Sequence, residues 1–88
     1  MLMKLPLIKH VCAFVEANDE DFVAEAIEVL EHLTEYDGLA EQEVDVLGEM
    51  LSNLYGALEV EKTVREDGVD RKEALNAFMK RVQGSIDR

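Results

Sequence analysis

The fold is decided by residues 40–66, which read AEQEVDVLGEMLSNLYGALEVEKTVRE. At about 100° per residue, the apolar side chains sweep about half of a helix circumference, which is wider than the stripe that packing on one side requires. The members of this wide arc are Val44, Val46, Leu47, Met50, Leu51, Leu54, Tyr55 and Leu58. We therefore predict one long helix over these residues, with neighbours on two of its sides.

The chain before this stretch predicts two shorter helices, because apolar residues recur with the helical period and never alternate for long. Pro6 suits the first turn of a short helix that runs to about Ala17. Asn18 is the predicted N-cap of a second helix, which runs to about Tyr36. Gly38 is predicted to end that helix in the left-handed conformation.

The chain after this stretch predicts a fourth helix. Gly68 is the stop signal of the long helix, and Asp70 is followed by Glu73 in the pattern of a capping box. The fourth helix fades near Gly84 and presents an apolar side made of Ala74, Leu75, Phe78, Met79 and Val82. We predict an all-α, four-helix protein whose 88 residues form a single domain, residues 1–88.

The wide apolar arc also predicts self-association. Small domains bury a modest share of their surface and commonly gain stability from a partner subunit. We predict a homodimer in which the third helices pack across, or near, a two-fold axis. The predicted interface consists of Val46, Leu47, Gly48, Met50, Leu51, Asn53, Leu54 and Leu58. The alternative is a monomer whose third helix is central.

Three small residues recur at intervals of four along the third helix, namely Gly48, Ser52 and Gly56. This spacing lets two helices approach closely, although it falls outside the apolar arc. We predict that another helix crosses the third helix at these residues. The alternative is that Gly56 marks a bend.

The charge is segregated along the chain. From His10 to Glu61 there are 52 residues without Lys or Arg, and the whole chain has a formal charge of −11. This acidity excludes nucleic acids and anionic membranes as partners, because both bind through basic residues. Cys12 is the single cysteine and is predicted to be a small core residue. A lone thiol and the absence of a long apolar run predict a cytoplasmic protein.

Residues that could carry chemistry form no recognisable constellation. Glu59 and Glu61 are predicted to lie on the helix surface, and His10 and Cys12 point to different sides of their helix. One side of the second helix carries four potential metal ligands, but it lies opposite the apolar side and is predicted to be solvated. These four are Glu25, Glu28, His32 and Glu35. We predict no catalytic residue, no metal ligand and no cofactor, and therefore no enzyme.

Three functions from different classes stay open. The leading one is a helical interaction or adaptor protein that acts as a homodimer and docks a basic protein partner by charge complementarity. The predicted docking residues are Glu25, Glu28, Glu31 and Glu35. The second is a metal-linked or catalytic module built from Glu and His32 side chains of two subunits. The third is an acidic inhibitor of a nucleic-acid-binding protein.

Two stretches carry a family resemblance. Residues 46–54 read VLGEMLSNL and residues 77–86 read AFMKRVQGSI. They resemble the V-L-G-x-M-x-x-N-L and A-F-x-x-x-(L/V)-Q-x-S-I patterns of the YejL-like family of small uncharacterised bacterial proteins. The resemblance implies an all-helical homodimer without a known activity or cofactor. The additional first helix sets this chain apart from that family and is compatible with a neighbouring family that has the same helical core.

Overall fold

Four α-helices make up the protein. The computed structural model describes the backbone of residues 3–86 and the side chains of residues 3–82. The helices are α1 (Leu5–Ala17), α2 (Glu20–Leu33), α3 (Glu41–Asp67) and α4 (Arg71–Ile86). The described part of the chain contains no strand. The predictions of an all-α fold, four helices and a long third helix are confirmed.

The long helix α3 is the centre of the structure. It packs against α1, α2 and α4, and its contacts with each are more extensive than the contacts that α1 makes with α2 or α4. Glu20, at the start of α2, pairs with Arg65 near the end of α3, so these two helices run antiparallel. Arg71, at the start of α4, pairs with Glu61, so α4 also returns along α3.

The turns on either side of α2 differ from the prediction. Asn18 closes α1 instead of opening α2, because its Nδ2 donates to the Phe14 carbonyl oxygen at 3.1 Å. Asp19 is the N-cap of α2, and its Oδ1 accepts from the Asp21 backbone N–H at 3.0 Å. A carboxylate accepts this hydrogen bond as well as an amide oxygen does, so neighbouring Asn and Asp compete for the same role.

The end of α2 also lies earlier than predicted. The helix ends at Leu33, and the Thr34 hydroxyl donates to the Glu31 carbonyl oxygen at 2.6 Å. Gly38 does not have the left-handed conformation that was predicted; within residues 3–86, positive φ occurs only at Gly68. A Cβ at Gly38 would lie 2.5 Å from Cε2 of the Tyr36 ring, but Tyr36 is 67% exposed and its ring can turn away.

The turn between α3 and α4 agrees with the prediction. Gly68 has φ 71°, and its N–H donates to the Val64 carbonyl oxygen at 3.1 Å. Asp70 caps α4, because its Oδ1 accepts from the Glu73 N–H at 2.8 Å. The helix continues to Ile86, two residues beyond the predicted end.

Two apolar clusters form the core. The first lies between α1, α3 and α4 and contains Ile8, Cys12, Ala57, Val60, Ala74, Leu75 and Phe78. The second lies between α1, α2 and α3 and contains Val15, Val23 and Ile27, with Leu51, Leu54 and Leu58 packed against them. The predicted apolar side of α4 and the predicted core position of Cys12 are confirmed.

The buried side of α3 is not the centre of the predicted arc. Its buried residues are Asn53, Gly56, Ala57, Val60 and Glu61. At Gly56 a Cβ would lie 3.1 Å from Cζ of Phe78 and 3.2 Å from Cδ1 of Ile8, so α1 and α4 both approach the α3 backbone here. The predicted close approach is confirmed at Gly56, and it occurs within one chain. Because Gly56 has no side chain and Ala57 has a small one, α1 and α4 approach α3 most closely on this side, and the residues on this side are buried.

Candidate functional site

The eight residues of the predicted dimer interface divide into two groups. Leu51, Leu54 and Leu58 pack against the second core cluster beneath α2. Asn53 is 1% exposed, so its side chain is buried within the single chain. Its Oδ1 accepts from the Lys4 N–H at 2.8 Å, and its Nδ2 donates to the Glu49 carbonyl oxygen at 2.7 Å. Asn53 thus joins α3 to the start of α1.

The other group lies near the start of α3. Val46 is 53% exposed, Met50 is also exposed, and Leu47 and Gly48 are half-buried. Val46 and Met50 share one side of α3 with the buried residues Asn53, Ala57 and Val60, because the intervals between them alternate between four and three. From Asn53 onward, α1 and α4 pack on this side of α3 and bury it. Before Asn53, neither helix covers it, because α1 begins beside Asn53.

An open cavity of 440 Å³ adjoins this uncovered part, between the end of α2 and the start of α3. Leu33 and Leu39 contribute its apolar lining together with Val46 and Leu47. We call the set Leu33, Leu39, Val46, Leu47 and Met50 the α2–α3 apolar surface. Val46, Leu47 and Met50 belong to the predicted interface, whereas Leu33 and Leu39 were not part of that prediction.

The four predicted docking glutamates are exposed. Glu25 and Glu28 lie on the outer side of α2, whereas Glu31 accepts a hydrogen bond from the Tyr55 hydroxyl and Glu35 follows the end of the helix. Within residues 3–82 none of the four forms an ion pair. In the same residues no group of three or more His, Cys, Asp and Glu side chains is placed to hold a metal ion.

The most buried charge in the described side chains is one that sequence reasoning assigned to the surface. Glu61 is 4% exposed and accepts two hydrogen bonds from Arg71, from Nη2 at 2.6 Å and from Nε at 2.7 Å. Arg71 Nη1 also lies 3.4 Å from Oε2 of Glu16 on α1. The carboxylate of Glu61 raises the pKa of the Arg71 guanidinium through these hydrogen bonds. Arg71 therefore stays charged, and its hydrogen bonds to Glu61 tie α4 to α3.

A sequence signal for this pair existed. Glu61 follows Ala57 by four residues and precedes Val64 by three, which places it on the same side of α3 as the core residues. A carboxylate in such a position needs a cation. Arg71 is the first residue of α4, and the short turn at Gly68 brings it back beside the last turns of α3.

Cys12 lies beside this ion pair. Burial, together with the nearby charge of Glu61, raises the pKa of the Cys12 thiol to about 12. The thiolate is the reactive form of cysteine, so a thiol with this pKa is a poor nucleophile at neutral pH. Its role is to fill space in the first core cluster.

A cavity of 340 Å³ opens between α1 and α4 next to the ion pair. Its floor is apolar and its rim carries basic residues, whereas the chain as a whole has a negative charge. The residues that line it are Leu5, Lys9, Cys12, Ala13, Glu16, Arg71, Lys72, Leu75 and Asn76. We call it the α1–α4 cavity.

Most of the chain matches the sequence model of a known protein family. The sequence model of DUF6952, a family of unknown function, matches residues 3–87. The chain belongs to the DUF6952 family. No curated protein and no solved structure matches it. The DUF6952 match does not link the chain to the YejL-like family, so that resemblance stays a prediction. The second stretch that carries the resemblance includes residues 83–86, whose side chains lie outside the described residues.

Within residues 3–86, none of the helices is sufficiently long and apolar to cross a bilayer. The longest helix, α3, carries charged residues along its whole length, including the buried Glu61.

Proposed function

We propose that this protein is a non-enzymatic helical interaction or adaptor protein that acts as a homodimer. The observation that carries the proposal is the α2–α3 apolar surface, which leaves Val46 and Met50 exposed on the same line of α3 that forms the core further along. Contiguous exposed apolar residues on a small domain mark an interaction site.

A second copy of the chain fits this surface. Val46 and Met50 are exposed and four residues apart, so they lie one turn apart on the same side of α3, where a helix of a second copy can pack on both of them. If two copies meet around a two-fold axis, the α2–α3 apolar surface of one copy packs against the same surface of the other, so each copy buries the same residues. Leu33 and Leu39 widen the contact beyond α3.

Acidic residues flank this surface, and they determine how the dimer responds to salt. Glu43, Asp45 and Glu49 lie on the first three turns of α3, among the apolar residues that would meet. Bringing two copies together places like charges near each other, and salt screens that repulsion. We therefore expect dimerisation to strengthen as the ionic strength rises.

The outer face of α2 supports the adaptor role. Glu25 and Glu28 are exposed and, among the described residues, form no ion pair, so their charges are available to steer a basic partner. An electrostatic complex of this kind weakens as salt rises. Salt thus acts in opposite directions on the two contacts and separates them experimentally.

Sedimentation velocity on matched variants tests the dimer. Val46→Glu adds a charge to the proposed interface, whereas Val44→Glu adds the same charge two residues away, on a different side of α3, where valine is 41% exposed. We expect the wild-type protein to be a dimer. We expect Val46→Glu to be a monomer or to dimerise at least tenfold more weakly, and Val44→Glu to dimerise as the wild type does. Circular dichroism checks that both variants keep their helices. A wild-type monomer at high salt, or equal effects of the two variants, contradicts the proposal.

The docking face needs a separate variant. Glu25→Gln combined with Glu28→Gln removes two charges from the outer side of α2, and Glu66→Gln combined with Asp67→Asn removes two exposed charges from the end of α3. Binding of a lysine-rich peptide is measured by fluorescence anisotropy at low and high salt. We expect only the α2 variant to weaken binding; equal losses in both variants indicate attraction to net charge alone and contradict a docking face.

A further inference from the structure

We propose that the α1–α4 cavity binds a small amphipathic carboxylate, with its carboxylate against Arg71 and its apolar tail on the floor formed by Leu5 and Leu75. This inference is independent of dimer formation, because the cavity does not include the residues of the α2–α3 apolar surface. Its volume of 340 Å³ lies within the range of small-molecule sites, about 300 to 1,000 Å³.

The charge around the cavity is opposite to that of the chain. Lys9, Arg71 and Lys72 are three of the nine basic residues in a chain with 20 acidic ones, and all three line this single cavity. Among its described lining residues, Glu16 is the only carboxylate. Glu61 lies behind Arg71 and neutralises part of the charge, yet the rim keeps an excess of positive charge. An anionic group is therefore favoured at this position.

Arg71 is held in a geometry that suits a carboxylate. Its Nε and Nη2 are both bound to Glu61, which fixes the plane of the guanidinium. Arginine has five N–H donors, so donors remain on Nη1. The contact from Nη1 to Glu16 is 3.4 Å long, and Glu16 is mostly exposed, so this contact is weak. A ligand carboxylate can displace Glu16 from Nη1 and bind a cation that is already oriented.

The floor of the cavity selects for an apolar tail. Leu5, Ala13 and Leu75 present carbon atoms, and the Cys12 thiol is protonated and uncharged at neutral pH. A compact phosphate would leave this floor in contact with water. A carboxylate with a short acyl chain covers the floor and places a single negative charge at the rim, so the shape and the charge of the cavity agree on one ligand class.

Octanoate is the probe that tests the proposal, with octylamine and octanol as probes of equal length that lack the carboxylate. Titration into the ¹⁵N-labelled protein at pH 7 gives affinities and, from the shifted amide signals, the location. We expect octanoate to shift signals in residues 5–16 and 71–76 and to bind at least tenfold more tightly than either control. Equal binding of octanol or octylamine, or shifts confined to the start of α3, overturns the proposal.

Variants localise the binding. Lys9→Gln with Lys72→Gln removes two rim charges, and we expect about tenfold weaker octanoate binding. Lys62→Gln with Lys80→Gln removes two exposed charges elsewhere and leaves binding unchanged. Glu16→Gln removes the competing carboxylate and tightens binding about threefold.

Ala13→Trp fills the cavity from an exposed position and abolishes binding while the circular dichroism spectrum is retained. Equal effects of the two lysine pairs, weaker binding by Glu16→Gln, or unchanged binding by Ala13→Trp each refutes the carboxylate site.

Discussion

The replacement Arg71→Leu is expected to be among the most damaging single changes to the stability of this protein. It leaves the Glu61 carboxylate, which is 4% exposed, without the two hydrogen bonds at 2.6 and 2.7 Å that stabilise its charge. A buried carboxylate that loses its cation either remains charged without compensation or takes up a proton, and both outcomes reduce the stability of the fold.

The expected cost is asymmetric between the two partners. Removing one partner of a buried ion pair typically costs about 3 to 5 kcal/mol. The side chain of Arg71 is 32% exposed, so water relieves part of the penalty and we expect about 3 kcal/mol for Arg71→Leu. For Glu61→Leu we expect about 1 kcal/mol, because the freed guanidinium reaches water and Glu16. The double variant Glu61→Leu with Arg71→Leu leaves no unpaired charge and is expected to lie within about 1 kcal/mol of wild type.

Urea unfolding followed by circular dichroism measures these differences, and the four proteins form a double-mutant cycle. Lys72→Leu is the matched control, because it removes an adjacent, exposed cation. We expect a recovery of stability when Glu61→Leu is added to Arg71→Leu. If Arg71→Leu costs no more than Lys72→Leu, or if the double variant is less stable than Arg71→Leu alone, the assignment of Glu61 as a buried charge that depends on Arg71 is refuted.

Three other predictions concern backbone and core positions. Gly56→Leu has no room beside Phe78 and Ile8, whose atoms lie 3.1 and 3.2 Å from a Cβ built there, so thermal unfolding should show a loss of about 3 kcal/mol or more. Gly68→Ala forces a Cβ into a backbone with φ 71°, although no atom lies within 4 Å, and should cost about 1 to 2 kcal/mol in urea unfolding. The pKa of Cys12 is raised in the fold from 9.0 to about 12, so the unfolded chain releases its proton first. The free energy of unfolding should therefore fall by up to about 1.4 kcal/mol per pH unit between pH 9 and 12, and be unaffected by this thiol below pH 9.

Each of these has its own control. Gly68→Asn should be milder than Gly68→Ala, because asparagine tolerates the left-handed region; the reverse order contradicts a backbone origin. Gly56→Ala should fall between glycine and leucine, since its single Cβ requires shifts of a few tenths of an ångström. The Cys12→Ala protein should lack the thiol's share of the pH dependence, and identical slopes for both proteins would rule out the raised pKa.

Much of the fold followed from local sequence signals. The four helices, the stop at Gly68 and the cap at Asp70 were predicted correctly because a turn and a cap depend on a few adjacent residues. The errors at Asn18 and Gly38 are of the same local kind. At Asn18, the neighbouring Asp19 performs the predicted capping role, and at Gly38 the helix has already ended at Leu33.

The candidate sites depended on information that is not local. The helical period identified the apolar residues of α3. It did not indicate that α1 and α4 approach α3 on the side that carries Gly56 and Asn53. The α1–α4 cavity joins residues 9 and 72, which are far apart in the sequence. No periodicity within one helix reveals a pairing between two helices.

By itself, the sequence determined that this chain is helical, where its third helix ends, and that its acidic residues dominate the surface of α2. The tertiary structure alone decided which side of α3 is buried and that basic residues of α1 and α4 meet around one cavity. The physical reason is distance. Caps and helical periods arise from neighbours within a few residues, whereas burial and charge pairing arise from how closely separate helices approach, and here small residues on α3 set that approach.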